Sequence, residues 1–186
     1  MGMVLLIVLV VVGLVVMGMY NGLIAKKNQV ENAFASIDTM LKKRYDLIPN
    51  LVASVQQYMQ HEQKTLVGLT EMRARAVSGG LSPQETAELD QKITKTLGGI
   101  MVAVENYPDL KANQNFLQLQ AALNETEEQI SAARRAYNAS VVDYNNAIEM
   151  FPTSIMAGMM NYQRKVVFTA AEAERGNVNV KELFKK

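Results

Sequence analysis

Hydrophobic residues follow two patterns along this chain, one continuous and one periodic. From Met1 to Met19 there is no charged or strongly polar side chain, and Val4–Val16 is Leu, Ile or Val except at Gly13. Nineteen helical residues rise about 28 Å, which matches the hydrocarbon thickness of a bilayer. The pattern therefore predicts a transmembrane anchor over residues 1–20, followed by a helical-bundle domain over residues 21–186.

The residues that flank this segment predict whether it is cleaved and how it is oriented in the membrane. A cleaved signal peptide has a basic region before the apolar stretch and a small-residue cleavage site after it, and neither is present. We therefore expect an uncleaved anchor in preference to a signal peptide or a buried core helix. Lys26 and Lys27 follow the segment, which predicts a cytoplasmic domain and an N-terminus outside. The same lysines are candidates for contact with anionic lipid headgroups.

Two glycines lie at the end of the anchor. Gly18 and Gly22 have the Gly-x-x-x-Gly spacing that lets transmembrane helices approach closely. They are candidate residues for a helix–helix contact.

Beyond the anchor, apolar residues recur with the period of a helix. The pattern predicts one long helix from Tyr20 to Val77 that leaves the membrane directly. Pro49 lacks the amide that would bond the Tyr45 carbonyl, so we expect a kink there. The buried stripe is expected to contain Phe34, Leu41, Ile48 and Val55.

Three further helices are predicted. Ser82, Pro83 and Glu85 form a helix-start pattern with a capping box, and this helix should run to about Asn106. Its apolar face contains Leu89, Ile93, Leu97, Ile100 and Val104. A third helix over 110–150 has an apolar or aromatic residue at every seventh position: Phe116, Leu123, Ile130, Tyr137, Tyr144 and Phe151. After Pro152 a shorter helix over 154–175 should complete an all-α antiparallel bundle.

Composition and charge argue against several kinds of chemistry. The 19 basic and 18 acidic residues nearly balance, which is not the basic excess of a nucleic-acid-binding protein. With no cysteine, the chain has no thiolate nucleophile or cysteine metal site. The single histidine, His61, lacks the partners of a zinc or di-iron motif, because Thr65 and Tyr58 occupy those positions. We therefore expect no catalytic residue, metal or cofactor.

A polar pair is repeated one heptad apart in the third helix. Tyr137-Asn138 recurs as Tyr144-Asn145. Asparagine in a helical seam must be hydrogen-bonded and can fix the register of packing. The alternative is that these asparagines are ordinary surface residues.

At this point a family resemblance is clear. The run Lys42–Val52, KKRYDLIPNLV, resembles the motif of the LemA family of bacterial membrane-anchored helical proteins, and further matches extend it from about Tyr20 toward the C-terminus. Lys27 and Phe34 stand where the family often has arginine and tryptophan. The motif residues proposed for packing or interfaces are Tyr45, Asp46, Pro49, Asn50, Asn113, Asn115, Arg134, Arg135, Tyr137, Asn138, Tyr144 and Asn145.

The resemblance implies a LemA-like fold with no established enzymatic activity. Family members occur beside membrane metalloproteases and among proteins that shape magnetosome membranes. The leading hypothesis is a non-enzymatic structural protein that self-assembles as a homo-oligomer at the bacterial cytoplasmic (inner) membrane and organises or remodels that lipid bilayer. The alternative is an adaptor or regulator of a membrane metalloprotease in the envelope stress response.

Overall fold

The computed structural model describes residues 1–168, which form helices and no strand, as expected for an all-α fold. This described part contains six α-helices: α1 (Gly2–Gln56), α2 (Gln63–Val77), α3 (Pro83–Val104), α4 (Pro108–Lys111), α5 (Gln114–Glu149) and α6 (Thr153–Met159). A single 3-10 turn, Gln60–Glu62, lies between α1 and α2.

The apolar segment and the first core helix are one continuous helix. An 18-residue window of α1 has a mean hydropathy of 3.0, is entirely unburied, and is long and apolar enough to cross a membrane. Leu23 is the first buried residue, and burial then recurs along one face as far as Val55. The predicted extension of the anchor into the bundle is therefore present.

The predicted length of that helix was wrong, because α1 ends at Gln56 and not at Val77. The position seven residues after Val55 is Glu62, so the apolar stripe stops there. The chain turns at the fully buried Met59 and α2 returns antiparallel to α1. Residues 20–77 thus form two packed helices, each with its own buried face.

The start of α3, with Ser82 as its N-cap, was predicted correctly. The Ser82 hydroxyl accepts a hydrogen bond from the Glu85 amide at 3.3 Å, and the Glu85 carboxylate accepts one from the Ser82 amide at 2.9 Å. This second bond is the main cause of the lowered pKa of Glu85. All five apolar residues expected on its inner face are buried.

The longest interface joins α1 to α5, and three side-chain pairs define its register. These pairs are Lys26 with Asp143, Phe34 with Tyr137, and Arg44 with Glu127. Their residue numbers sum to between 169 and 171, so the helices are antiparallel and stay in register over this length. Each level of α1 from about residue 21 to Gln56 therefore has a known counterpart on α5.

The C-terminal part of the bundle differs from the prediction. The predicted every-seventh positions from Phe116 to Tyr144 are all buried, whereas Phe151 is exposed, because α5 ends at Glu149 and the chain turns. The next helix was expected over 154–175, but α6 is shorter, and Asn161 ends the turn after it with a φ of 52°. Residues 162–168 then form an extended segment along α5, and the remainder of the expected helix lies outside the described residues.

Candidate functional site

A buried ionic cluster joins three helices at mid-height in the bundle. Arg44 of α1 and Asp90 of α3 are each only 1% exposed and form an ion pair. Arg44 also donates to the Thr94 hydroxyl at 2.9 Å and pairs with the Glu127 carboxylate. Arg134 of α5 pairs with the other Asp90 oxygen. We name Arg44, Asp90, Glu127 and Arg134 the arginine–aspartate cluster.

The two arginines and two carboxylates of this cluster balance in formal charge. Burial is the largest influence on Arg44 and lowers the pKa of its guanidinium, while the charge of Glu127 acts in the opposite direction. The Nε atoms of Arg44 and Arg134 have no hydrogen-bond partner among residues 1–168. A buried charge is costly without its partner, so the cluster requires α1, α3 and α5 together.

Sequence reasoning identified Arg134 as a candidate but missed Arg44 and Asp90 as site residues. The apolar periodicity of α1 already indicated that Arg44 is buried. Arg44 falls on the same helical face as the buried Leu41 and Ile48, at three- and four-residue spacing. A charged residue in an apolar stripe indicates a buried partner elsewhere in the chain.

The repeated asparagines hold the extended segment against α5. Asn145 donates to the Lys165 carbonyl and accepts from the Lys165 amide, both at 2.9 Å. Asn138 makes the same two bonds to Phe168, at 2.9 and 2.8 Å. Each asparagine side chain thus donates one hydrogen bond to the backbone of a single residue and accepts one from it, as a paired β-strand does.

The spacing of this repeat has a geometric cause. Seven residues of α-helix rise about 10.5 Å, and three residues of extended chain span about 10 Å. A heptad on α5 therefore matches the interval from Lys165 to Phe168. Both asparagines therefore lie at a packing contact, and their role in fixing its register stays a prediction.

Aromatic rings reinforce the same contact. The Tyr137 hydroxyl donates to the Val166 carbonyl at 3.2 Å, and its ring meets the Phe168 ring edge-on at 5.1 Å between centroids. Phe34 of α1 stacks on Phe168 at 6.3 Å. A groove of about 520 Å³ lies between this segment and the first turns of α3, lined in part by Ser82, Glu88 and Val167.

The residues of the first family motif have different environments. Tyr45 is buried and its hydroxyl has no hydrogen-bond partner in the described part of the chain. Asp46 lies on the surface, 3.9 Å from Arg73 of α2. Pro49 and Asn50 are exposed on the same helix, which continues through them.

The other candidate residues of the family resemblance, from Asn113 onward, also have different environments. Asn113 caps α5, because its side-chain oxygen accepts from the backbone amides of Asn115 and Phe116. The side chains of Asn115 and Arg135 are exposed. The structure therefore joins Arg134 to the arginine–aspartate cluster and the two Tyr-Asn pairs to residues 162–168, but it does not gather the motif residues into one site.

The candidate residues near the membrane are also placed. Lys26 lies 3.0 Å from Asp143 and Lys27 lies 3.7 Å from Glu31, and both lysines remain partly exposed. Gly18 and Gly22 have open space where a side chain would project. Their proposed contacts with headgroups and with a second helix stay predictions.

Within residues 1–168 no group of three or more His, Asp or Glu side chains lies close enough to hold a metal ion. His61 is exposed in the 3-10 turn. The described part of the chain contains a packed helical bundle, buried ion pairs and one helix long and apolar enough to cross a membrane.

Comparison with known proteins agrees with this arrangement. Protein LemA of Metamycoplasma hominis is 29% identical over 169 residues, which cover 91% of this chain and 77% of that protein. Magnetosome protein MamQ 2 of Paramagnetospirillum magneticum is 21% identical, and Magnetosome protein MamQ of Magnetospirillum gryphiswaldense is 19% identical. Each of these two alignments covers 90% of this chain and 71% of the relative. The model of the LemA family matches residues 33–181, most of the bundle with its asparagine repeat, and the chain belongs to that family.

Proposed function

We propose that this protein is a non-enzymatic structural protein that self-assembles at the cytoplasmic membrane and organises or remodels the bilayer. The observation that carries the proposal is the continuity of α1. A flexible linker would let an anchored domain rotate freely, whereas a continuous helix transmits any tilt of the anchor to the bundle.

The open glycine face supports the self-assembly part of the proposal. No residue of the described chain packs against the membrane-crossing part of α1. Gly18 and Gly22 lie four residues apart on that helix, and a second α1 helix could approach closely along this face. Contacts between chains would then form in the same element that sets the tilt of the bundle.

The relatives are consistent with a role at a membrane surface. Two of them are named magnetosome proteins. We carry over to this chain only the association with a membrane.

The test is the size and the effect of the full-length protein in lipid. We expect the protein to form particles larger than one chain in nanodiscs and to change the shape of vesicles seen by electron cryomicroscopy. Gly18→Ile with Gly22→Ile should reduce the assembly, whereas Gly13→Ile, at another open position in the same helix, should not.

Strictly monomeric particles that leave vesicle shape unchanged would refute the proposal. If the protein is monomeric and a pull-down from native membranes recovers one defined membrane metalloprotease with it, the adaptor hypothesis would replace the proposal.

A further inference from the structure

The end of α5 lies level with the end of the apolar segment. The register between α1 and α5 places Met150 opposite Met19 and Tyr20. Asp143, which pairs with Lys26, is seven residues or about 10.5 Å farther from the membrane. The chain therefore reverses direction close to the plane where α1 leaves the bilayer.

The reversing segment contains no charge. Residues 150–163, which we name the α5–α6 corner, contain no Asp, Glu, Lys or Arg, and α1 likewise has none before Lys26. The residues that flank the corner, Glu149 and Arg164, form an ion pair across its base. Neither the α5–α6 corner nor the part of α1 at the same level therefore carries a charged side chain.

The outward face of the corner is an apolar row. Ile155 and Met159 lie four residues apart on one face of α6 and are 61% and 79% exposed, and Phe151, which precedes that helix, is 81% exposed. We name these three side chains the apolar row. Ala157 is buried and Met156 packs against the core, so α6 is held to the bundle by its other face. In water an exposed row of this kind is unfavourable, and it marks a surface for a partner.

We infer that the α5–α6 corner is a second membrane-contact site, which inserts Phe151, Ile155 and Met159 into the boundary between headgroups and acyl chains. The partner is the lipid bilayer that holds α1, because the row lies at the level where α1 enters it and carries no charge. Interfacial helices bury an apolar face in this region of the bilayer. Two contacts, α1 and the corner, would fix the bundle against rotation about the anchor.

This inference rests on membrane anchoring and is independent of self-assembly, so a monomer would satisfy it. The absence of tryptophan from the chain permits a direct test with single-tryptophan reporters. Full-length Ile155→Trp and Met159→Trp would be reconstituted at a low protein-to-lipid ratio in phosphatidylcholine vesicles with brominated acyl chains, which quench tryptophan on contact.

Two matched variants calibrate the quenching. Val8→Trp lies within the anchor and reports whether α1 is inserted. Val102→Trp is an exposed valine near the end of α3, beyond the level of Arg44 and far from the membrane. We expect Val8→Trp to lose most of its fluorescence, Ile155→Trp and Met159→Trp to lose a large fraction, and Val102→Trp to be unchanged.

The inference is overturned if both corner reporters match Val102→Trp while Val8→Trp is quenched. Blue-shifted but unquenched emission from the corner would also overturn it, because the row would then be covered by protein, for example by a second copy of this chain. Quenching of the corner in vesicles that contain only monomers would support it even if the proposed self-assembly failed.

Discussion

Arg73 of α2 donates a hydrogen bond from Nε to the backbone carbonyl of Tyr45 at 3.2 Å. That carbonyl lies four residues before Pro49, which has no amide hydrogen to donate to it. A proline inside a helix normally leaves this acceptor without its intrahelical partner. Here a side chain from the returning helix supplies the missing donor, which also attaches α2 to α1.

We expect Arg73→Met to destabilise the bundle by about 1 kcal/mol, because it removes a hydrogen bond from a charged donor. The value lies below the usual range for such bonds since the Arg73 side chain is 32% exposed. The measurement is chemical unfolding of the full-length protein in detergent, followed by circular dichroism.

The matched background is Pro49→Ala, which restores a backbone amide to the carbonyl of Tyr45. In that background Arg73→Met should cost little, so the two changes should be non-additive. An equal cost in both backgrounds would mean that Arg73 acts only through its ion pair with Asp46.

The arginine–aspartate cluster predicts a larger effect. Asp90→Asn leaves two arginines with less compensating charge in a buried site, and removal of one partner of such a pair costs about 3–5 kcal/mol. Glu88→Gln makes the same chemical change at an exposed position of α3 and should be nearly neutral. Equal free energies of unfolding for the two variants would show that the cluster is not tightly coupled to the fold.

Much of the fold could be predicted from the sequence because the information was local. The apolar segment, the Ser82 capping box and the stripes of α3 and α5 depend on residues that are near one another in the chain. The end of α1 at Gln56 was not predicted, because helical spacing and a single proline, Pro49, indicated one uninterrupted helix over Tyr20–Val77. The informative residue is Glu62, where the apolar stripe of α1 stops.

The helix expected over 154–175 was predicted wrongly for a different reason. Residues after Asn161 are extended because Asn138 and Asn145, about twenty to thirty residues earlier, bond to their backbone. No local pattern contains that information. The ion pair of Arg44 with Asp90 is similarly non-local, and only the position of Arg44 on an apolar face indicated it.

The buried tyrosines predict a loss of stability at alkaline pH. Burial is the main cause that raises the pKa of Tyr45, Tyr137 and Tyr144, although nearby Arg44 opposes the shift at Tyr45. The folded state favours the neutral phenol, so this stabilisation is full below the unfolded pKa of about 10 and is lost as pH rises through the folded pKa.

The measurement is the free energy of unfolding between pH 8 and pH 11. Tyr45→Phe should flatten its decline, and at neutral pH it should cost little because the Tyr45 hydroxyl has no partner in the described region. Tyr58→Phe, at an exposed position, should leave the decline as it is. A decline unchanged by Tyr45→Phe would assign the alkaline instability to other groups.

The hydrogen bonds of Asn138 and Asn145 to the extended segment predict that a change at Asn145 alone loosens that segment. Asn145→Asp keeps an acceptor for the Lys165 amide but replaces the donor to the Lys165 carbonyl with an oxygen, so two acceptors would face each other. We expect faster hydrogen exchange at the backbone amides of Lys165 and Phe168, with exchange in α1 unchanged. Asn146→Asp, at the exposed neighbouring position, introduces the same charge and should not alter exchange. If both variants left the two amides equally protected, the packing of Phe168 against Phe34 would be sufficient to hold the segment, and the heptad match would not be its cause.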